Sequence, residues 1–257
     1  MTSLLHREAP SRVAAAQAVR SATQTTFRSL KERFAAGSVE WSPDLQRVLE
    51  IPRRKKPEGA EMQVLIDAMT ALLKKPTGTQ TLRAVQAWTL WEMSQVGGGL
   101  GFLATGAGKT LCGMLMPMVW PWVVKADGIR RPPRCVLLIP PDLREQFEHD
   151  WEFFGEHWVL PNLAGGKTFD KNKPVLHVVA YSELSHESSS ALLEQIDPDL
   201  VMGDEISSLK NFEASRTLRM RRLFGDHPEK QFCGWDATLS FTSVASQPQN
   251  CFSGWSP

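Results

Sequence analysis

Cysteine is scarce in this chain and nowhere clustered. Cys112, Cys135, Cys233 and Cys251 form no CxxC pair and have no histidine at zinc-ligand spacing, so no metal site built of protein ligands alone is expected. Three of the four sit in apolar surroundings and read as inert core thiols. Long apolar runs are missing too. The longest near the middle, 111–124, is interrupted by Gly113, Pro117 and Pro121 and is too short to cross a bilayer, so no membrane partner is expected. The N-terminus lacks the apolar core of a secretory signal, and a cytoplasmic location is expected. An excess of charge is also absent. Lys and Arg number 29 against 28 Asp and Glu, so contact with a polyanion has to come from local patches. No internal repeat is visible. With 42% hydrophobic residues in 257, the chain can bury a core as one large domain or two smaller ones.

What is present centres on residues 96–110, VGGGLGFLATGAGKT. A short apolar segment, 100–103, leads into Thr105-Gly106-Ala107-Gly108-Lys109-Thr110, and an apolar, helix-like run follows. That is the strand, loop and helix context of a phosphate-binding loop. Gly106 and Gly108 let the backbone wrap an anion, so that successive N–H groups and the next helix's N-terminus face phosphate oxygens. Lys109 is expected to reach the β and γ phosphates, and the Thr110 hydroxyl to ligate Mg²⁺. Leu103 stands where the strict GxxxxGK[ST] pattern has its first glycine.

A second element lies downstream. In 199–205, DLVMGDE, an apolar strand ends in two carboxylates. Asp204 is expected to hold Mg²⁺ through water, and Glu205 to orient or deprotonate the water that attacks the γ-phosphate. Lys109, Asp204 and Glu205 are therefore the candidate catalytic residues.

Apolar β-type runs at 135–139, 176–180, 200–203 and 231–235 alternate with helix-like stretches at 143–154, 183–196 and 215–224. This alternation predicts an α/β fold, a parallel sheet covered by helices on both faces. Ligands bind such sheets at the carboxyl ends of the strands, where the Lys109 loop and the ends of the Met202 and Trp235 strands are expected to gather. Upstream, 61–73 and 81–95 carry helical apolar spacing. Residues 1–34 carry a weaker amphipathic pattern, and 52–57 a basic loop between prolines that reads as a solvated linker.

These motifs resemble the first RecA-like lobe of a superfamily two helicase of the DEAD/DEAH-box class, most of all the Swi/Snf-like ATPases of phages. Leu82-Arg83-Ala84-Val85-Gln86 is similar to the family segment whose Gln recognises adenine, which implies ATP as the nucleotide. Thr105 to Thr110 matches motif I, 136–140 with the following Glu145-Gln146-Phe147 resembles motif Ia, and Asp204-Glu205-Ile206-Ser207 with Leu209-Lys210-Asn211 resembles the DExx box and its sequel. Asp236-Ala237-Thr238-Leu239 stands in place of motif III, with Asp236 where the family carries a hydroxyl residue. Ser207 stands where the box often ends in His.

The resemblance covers about residues 80–240 and implies a P-loop NTPase lobe there; outside it, helical spacing makes 1–79 a helical accessory region, and a tail rich in Ser, Gln and Pro, 241–257, reads as irregular. It implies ATP and Mg²⁺ as cofactors, nucleic acid as partner with DNA ahead of RNA, and the host cytoplasm as location if the chain is phage-encoded. It also implies a second lobe, expected from a separate chain or lost by truncation. Two other readings stay open: a non-enzymatic nucleotide-binding module and a P-loop phosphotransferase. Arg130, Arg131, Arg134, Arg216, Arg219, Arg221 and Arg222 lie near presumed strand ends. Arg219 and Arg222 share a helical face that either touches phosphates or is simply solvated. The aromatic group Trp151, Phe153, Phe154 and Trp158 reads as core packing ahead of base stacking.

Overall fold

Apolar runs of five or six residues bounded by turns make strands that are covered on both faces, as a parallel sheet requires. The computed structural model describes residues 55–124 and 128–237, together with Gln46 and Glu50. The amphipathic pattern of 1–34, the prolyl-arginyl part of the basic loop, Thr238, Leu239, Cys251 and the tail 241–257 lie outside the described residues. The chain divides into two units, 1–56 and 57–257. In the first, Gln46 and Glu50 are helical, and Gln46 Nε2 donates to Glu50 Oε1 at 2.9 Å.

The second unit is built on a six-stranded parallel sheet. In chain order its elements are α1 (Gly59–Leu73), α2 (Ala84–Val96), β1 (Gly99–Phe102), α3 (Lys109–Val119), β2 (Val123–Val124), β3 (Arg130–Arg131), β4 (Arg134–Ile139), α4 (Arg144–His157), β5 (Asn162–Leu163), β6 (Val175–Ala180), α5 (Leu192–Ile196), β7 (Leu200–Asp204), α6 (Ser215–Asp226) and β8 (Gln231–Asp236). The strand order is β1-β8-β7-β4-β6-β5, while β2 and β3 form a separate antiparallel pair. Strand β8 slots between the loop strand β1 and the acid-bearing strand β7, pairing Phe102 with Asp236 on one side and Asp204 with Trp235 on the other.

Alternation along the strands divides the core. Cys135, Leu137, Ile139, Met202, Cys233 and Trp235 pack with residues of α1 to α4, such as Leu73, Leu90, Met114 and Leu115. Val136, Leu138, Val201 and Phe232 face Leu193 of α5 and Met220, Leu223 and Phe224 of α6. Each large side chain so buried stabilises the fold by roughly 1.5–3 kcal/mol. Helices thus cover both faces of an α/β parallel sheet, as the alternating pattern predicts. Helix α3 approaches the sheet closely because Gly113 has no side chain; a Cβ there would stand 3.1 Å from Leu137 Cδ1.

One expected helix is different. The stretch 183–196 forms two single 3₁₀ turns, Glu183–Ser185 and Glu187–Ser189, before the short α5. His186 between them is extended, and Ser185 Oγ donates to Tyr181 O at 3.2 Å. Serines at 185, 188, 189 and 190 offer the backbone such local alternatives to helical bonding.

Candidate phosphate-binding site

The loop after β1 is shaped by two glycines in the left-handed region, Gly106 at φ +76° and Gly108 at φ +86°. Side chains rarely adopt that conformation, and at position 108 there is no room for one either: a Cβ would lie 2.2 Å from Gln86 Nε2. Gly108 caps α3 and, as a glycine, makes no side-chain capping bond to the helix's first amides. Lys109 and Thr110 are the first two residues of α3, both half-buried. Lys109 folds back, its Nζ 3.3 Å from the Leu103 carbonyl. Thr105 and Ala107 complete the turn, with Ala107 N donating to Ala104 O at 3.0 Å.

The N-terminus of α2 fastens this loop from outside. Gln86, buried, accepts from Arg83 N at 2.8 Å and donates from Nε2 to Ala107 O at 3.0 Å, while Arg83 Nη1 donates to Gly106 O at 2.6 Å. The loop's carbonyls are thereby turned toward α2.

Asp204 ends β7 and is buried, with its Oδ1 free of any hydrogen-bond partner. Burial pushes its carboxyl up to about 6, against the pull of nearby Lys109; Glu205 and Asp236 add to the rise. Behind it, the Cys112 thiol is pushed up to about 12, mainly by burial with Asp204 adding. Cys112, Cys135 and Cys233 are all buried thiols, inert as expected of core residues. Glu205 is exposed and sits at φ +55°, ψ 61°, a left-handed conformation that costs a non-glycine residue about 1–2 kcal/mol.

The two departures from the family pattern meet one another. Asp236, at the end of β8, accepts on Oδ2 from the Ser207 backbone N–H at 2.9 Å. The turn after Glu205 is held further by Arg216 Nε on Ser208 O at 2.7 Å and by Thr217 Oγ1 on Leu209 O at 3.2 Å. Sequence spacing gives no hint of these contacts, nor of Tyr181. Its buried hydroxyl lies 2.9 Å from where a Cβ on Gly203 would be and has no hydrogen-bond partner.

Other expected residues are placed elsewhere. Arg219 donates to Leu184 O, and the exposed Arg222 pairs with Glu194 and reaches Ser190 O, so their shared face fastens α6 to the 184–194 segment. Arg131 and Arg134 lie at the amino ends of the strands, away from the loop, and pair with Asp199 and Asp197. Of the aromatic group, Trp158 is buried and donates to Gln80 Oε1 at 2.9 Å, Trp151 and Phe154 pack on the core, and Phe153 is exposed.

Among the described residues no helix is long and apolar enough to cross a membrane. No family model and no curated protein matches the chain. Among solved structures it is similar to the Sulfolobus solfataricus SWI2/SNF2 ATPase core in complex with dsDNA, at 18% identity and a TM-score of 0.43, over 67% of this chain and 35% of that one. It is similar to the Escherichia coli DEAH/RHA helicase HrpB at 19% identity and TM-score 0.39, over 63% of this chain and 20% of that one. It is also similar to the UvsW helicase of bacteriophage T4, at 14% identity and TM-score 0.42, over 85% of this chain and 71% of that one. The chain thus spans about a third and a fifth of the lengths of the first two.

Proposed function

We propose that the carboxyl end of the sheet binds ATP with Mg²⁺ and that the chain is the ATP-binding lobe of an ATP-dependent DNA translocase or helicase. The observation that carries this reading is Asp204: a buried carboxyl oxygen without a partner, beside Lys109 and the glycine loop. An unpaired buried acceptor costs about 1–3 kcal/mol, so it needs a ligand to justify it, and a hydrated divalent cation suits it. Among the described residues no three His, Cys, Asp or Glu converge on a metal position, so such an ion would rely on phosphate oxygens to complete its shell. Thr110 and Asp204 are the residues that would hold it. Bound there, Mg²⁺ would neutralise charge on the β and γ phosphates.

The chain's own residues divide the remaining work. The amides of residues 105–110 cradle phosphate, and Lys109, which in this geometry reaches only the Leu103 carbonyl, swings onto the β and γ oxygens. Glu205, carried past the strand end by its left-handed turn, orients the attacking water and accepts its proton. Gln86 recognises adenine: its amide oxygen and nitrogen each retain one bonding position beyond those used on Arg83 N and Ala107 O. Lys109 and Arg83 stand by the loop, Arg83 bonded to Gly106 O. The family resemblance assigns the transition-state arginines to a second lobe, and DNA contact falls to phosphates along the strand ends.

Single-turnover phosphate release from ATP·Mg²⁺, with and without duplex DNA and any neighbouring second lobe, tests the reading. The parent is expected to bind nucleotide and release phosphate slowly, with release quickened by the second lobe. Glu205→Gln is expected to bind equally well and lose about a hundredfold or more of the release rate. Binding without release under every condition would favour a non-enzymatic module instead.

A further inference from the structure

Tyr181 follows β6 and hydrogen-bonds through its backbone N–H to Ile139 O at 3.0 Å. From there its side chain, 2% exposed, reaches past the end of β4 to Gly203 on β7. Packing explains the ring, which joins Val179, Leu184 and Val201 in the core facing α6. It does not explain the hydroxyl. A phenylalanine would fill the same space, whereas this oxygen is buried and bonded to nothing. Among the described residues four buried side-chain polar atoms lack a partner, and two of them are Tyr181 Oη and Asp204 Oδ1. Both lie at the end of β7.

The groups whose charge the phenol feels are Asp204 and Glu205 on and after β7, Asp236 on β8 and Arg216 on α6. Burial and the three carboxylates hold the phenol in its protonated form, so it can act only as a donor toward them. Side chains alternate along β7: Asp204 belongs to the α3 face with Lys109 and Cys112, and Gly203 to the face that Tyr181 covers. Glu205 follows two residues after Gly203, just past the strand, and its left-handed backbone is a strained joint.

We infer that Tyr181 is a positioning residue for Glu205: its hydroxyl donates a hydrogen bond to the Glu205 carboxylate once nucleotide is in place, fixing that carboxylate over the attacking water. This rests on the ATP-site reading above. Gly203 is part of the device, since any side chain there would push the phenol away.

The test is Tyr181→Phe in the full chain, with three measurements: thermal unfolding, affinity for ATP·Mg²⁺, and single-turnover phosphate release with protein in excess. The expected result is an unfolding temperature equal to or above the parent's, since an unpaired buried hydroxyl has been removed, an unchanged affinity, and release slowed about tenfold, the equivalent of one hydrogen bond. Release at the parent's rate would overturn the inference while leaving the ATP site intact. So would a drop in unfolding temperature together with a matching loss of affinity, the mark of a packing role alone. No Mg²⁺-dependent nucleotide binding by the parent itself would overturn the underlying reading, and this inference with it.

Discussion

The two ends of the parallel sheet carry the same kinds of residue and treat them in opposite ways. At the amino end Asp199 is gripped by both terminal nitrogens of Arg131 at 2.7 Å and by the Arg134 backbone N–H at 2.7 Å. Asp197 meets Lys230 Nζ at 2.6 Å and Arg134, and these hydrogen bonds and charges hold its carboxyl below the usual range. At the carboxyl end Asp204 is buried with one oxygen bare, Glu205 is strained, Lys109 reaches only a carbonyl, and Tyr181 keeps an idle hydroxyl. Carboxylates satisfied within the fold hold structure, and Asp236 at the carboxyl end, bonded to the Ser207 N–H, is one of them; on the function proposed above, Asp204 and Glu205 beside it are kept for a ligand.

The contrast is broken most forcefully at the amino end. Asp199→Ala strands a half-buried guanidinium and a backbone N–H, and is expected to cost about 3 kcal/mol in urea unfolding. Its nucleotide affinity, measured where the protein remains folded, is expected to match the parent's. At the other end Lys109→Ala should leave unfolding nearly unchanged and weaken binding of a fluorescent ATP analogue by about 1.5–3 kcal/mol.

Asp204→Asn sharpens the comparison through its sign. The folded protein raises this carboxyl to about 6, so its contribution favours folding at low pH and turns against it as pH rises through that value. The amide is therefore expected to stabilise the protein by on the order of 2 kcal/mol at pH 8. The gain should shrink as pH falls from about 6 to about 4 and vanish below about pH 3, where the acid is protonated in both states. Mg²⁺-dependent nucleotide binding by the parent should weaken as pH falls through 6, and the variant should bind poorly throughout. A variant less stable than its parent at pH 8 would show that Asp204 is satisfied like Asp199.

Much of this was legible in the chain. The strands β4, β6, β7 and β8 stand within about a residue of the apolar runs that predict them, because buried parallel strands must be continuously apolar. Gly106, Gly108 and Lys109 stand where β1 gives way to α3, and Asp204 and Glu205 where β7 ends, the places that the strand, loop and helix pattern predicts for them. Two-residue strands such as β5 leave no period to detect, and its loop is held by Asn162 bonding to Asp170 and Lys173 carbonyls. The pairing of Asp236 with Ser207 and the reach of Tyr181 join residues 29 and 22 positions apart in register-dependent ways, which spacing alone does not encode. The bonds of Arg219 and Arg222 to the 184–190 carbonyls are not legible in spacing either, because a basic helix face looks alike whatever acceptor it meets.

The most direct test of the central claim is amide hydrogen exchange across the sheet, with and without ATP and Mg²⁺. Protection is expected at 104–111 and 204–208, and no change at 130–135 or 197–200 beyond global stabilisation. Protection concentrated at the amino end, or none at either end with nucleotide in excess, would contradict the assignment of the site to the unsatisfied end.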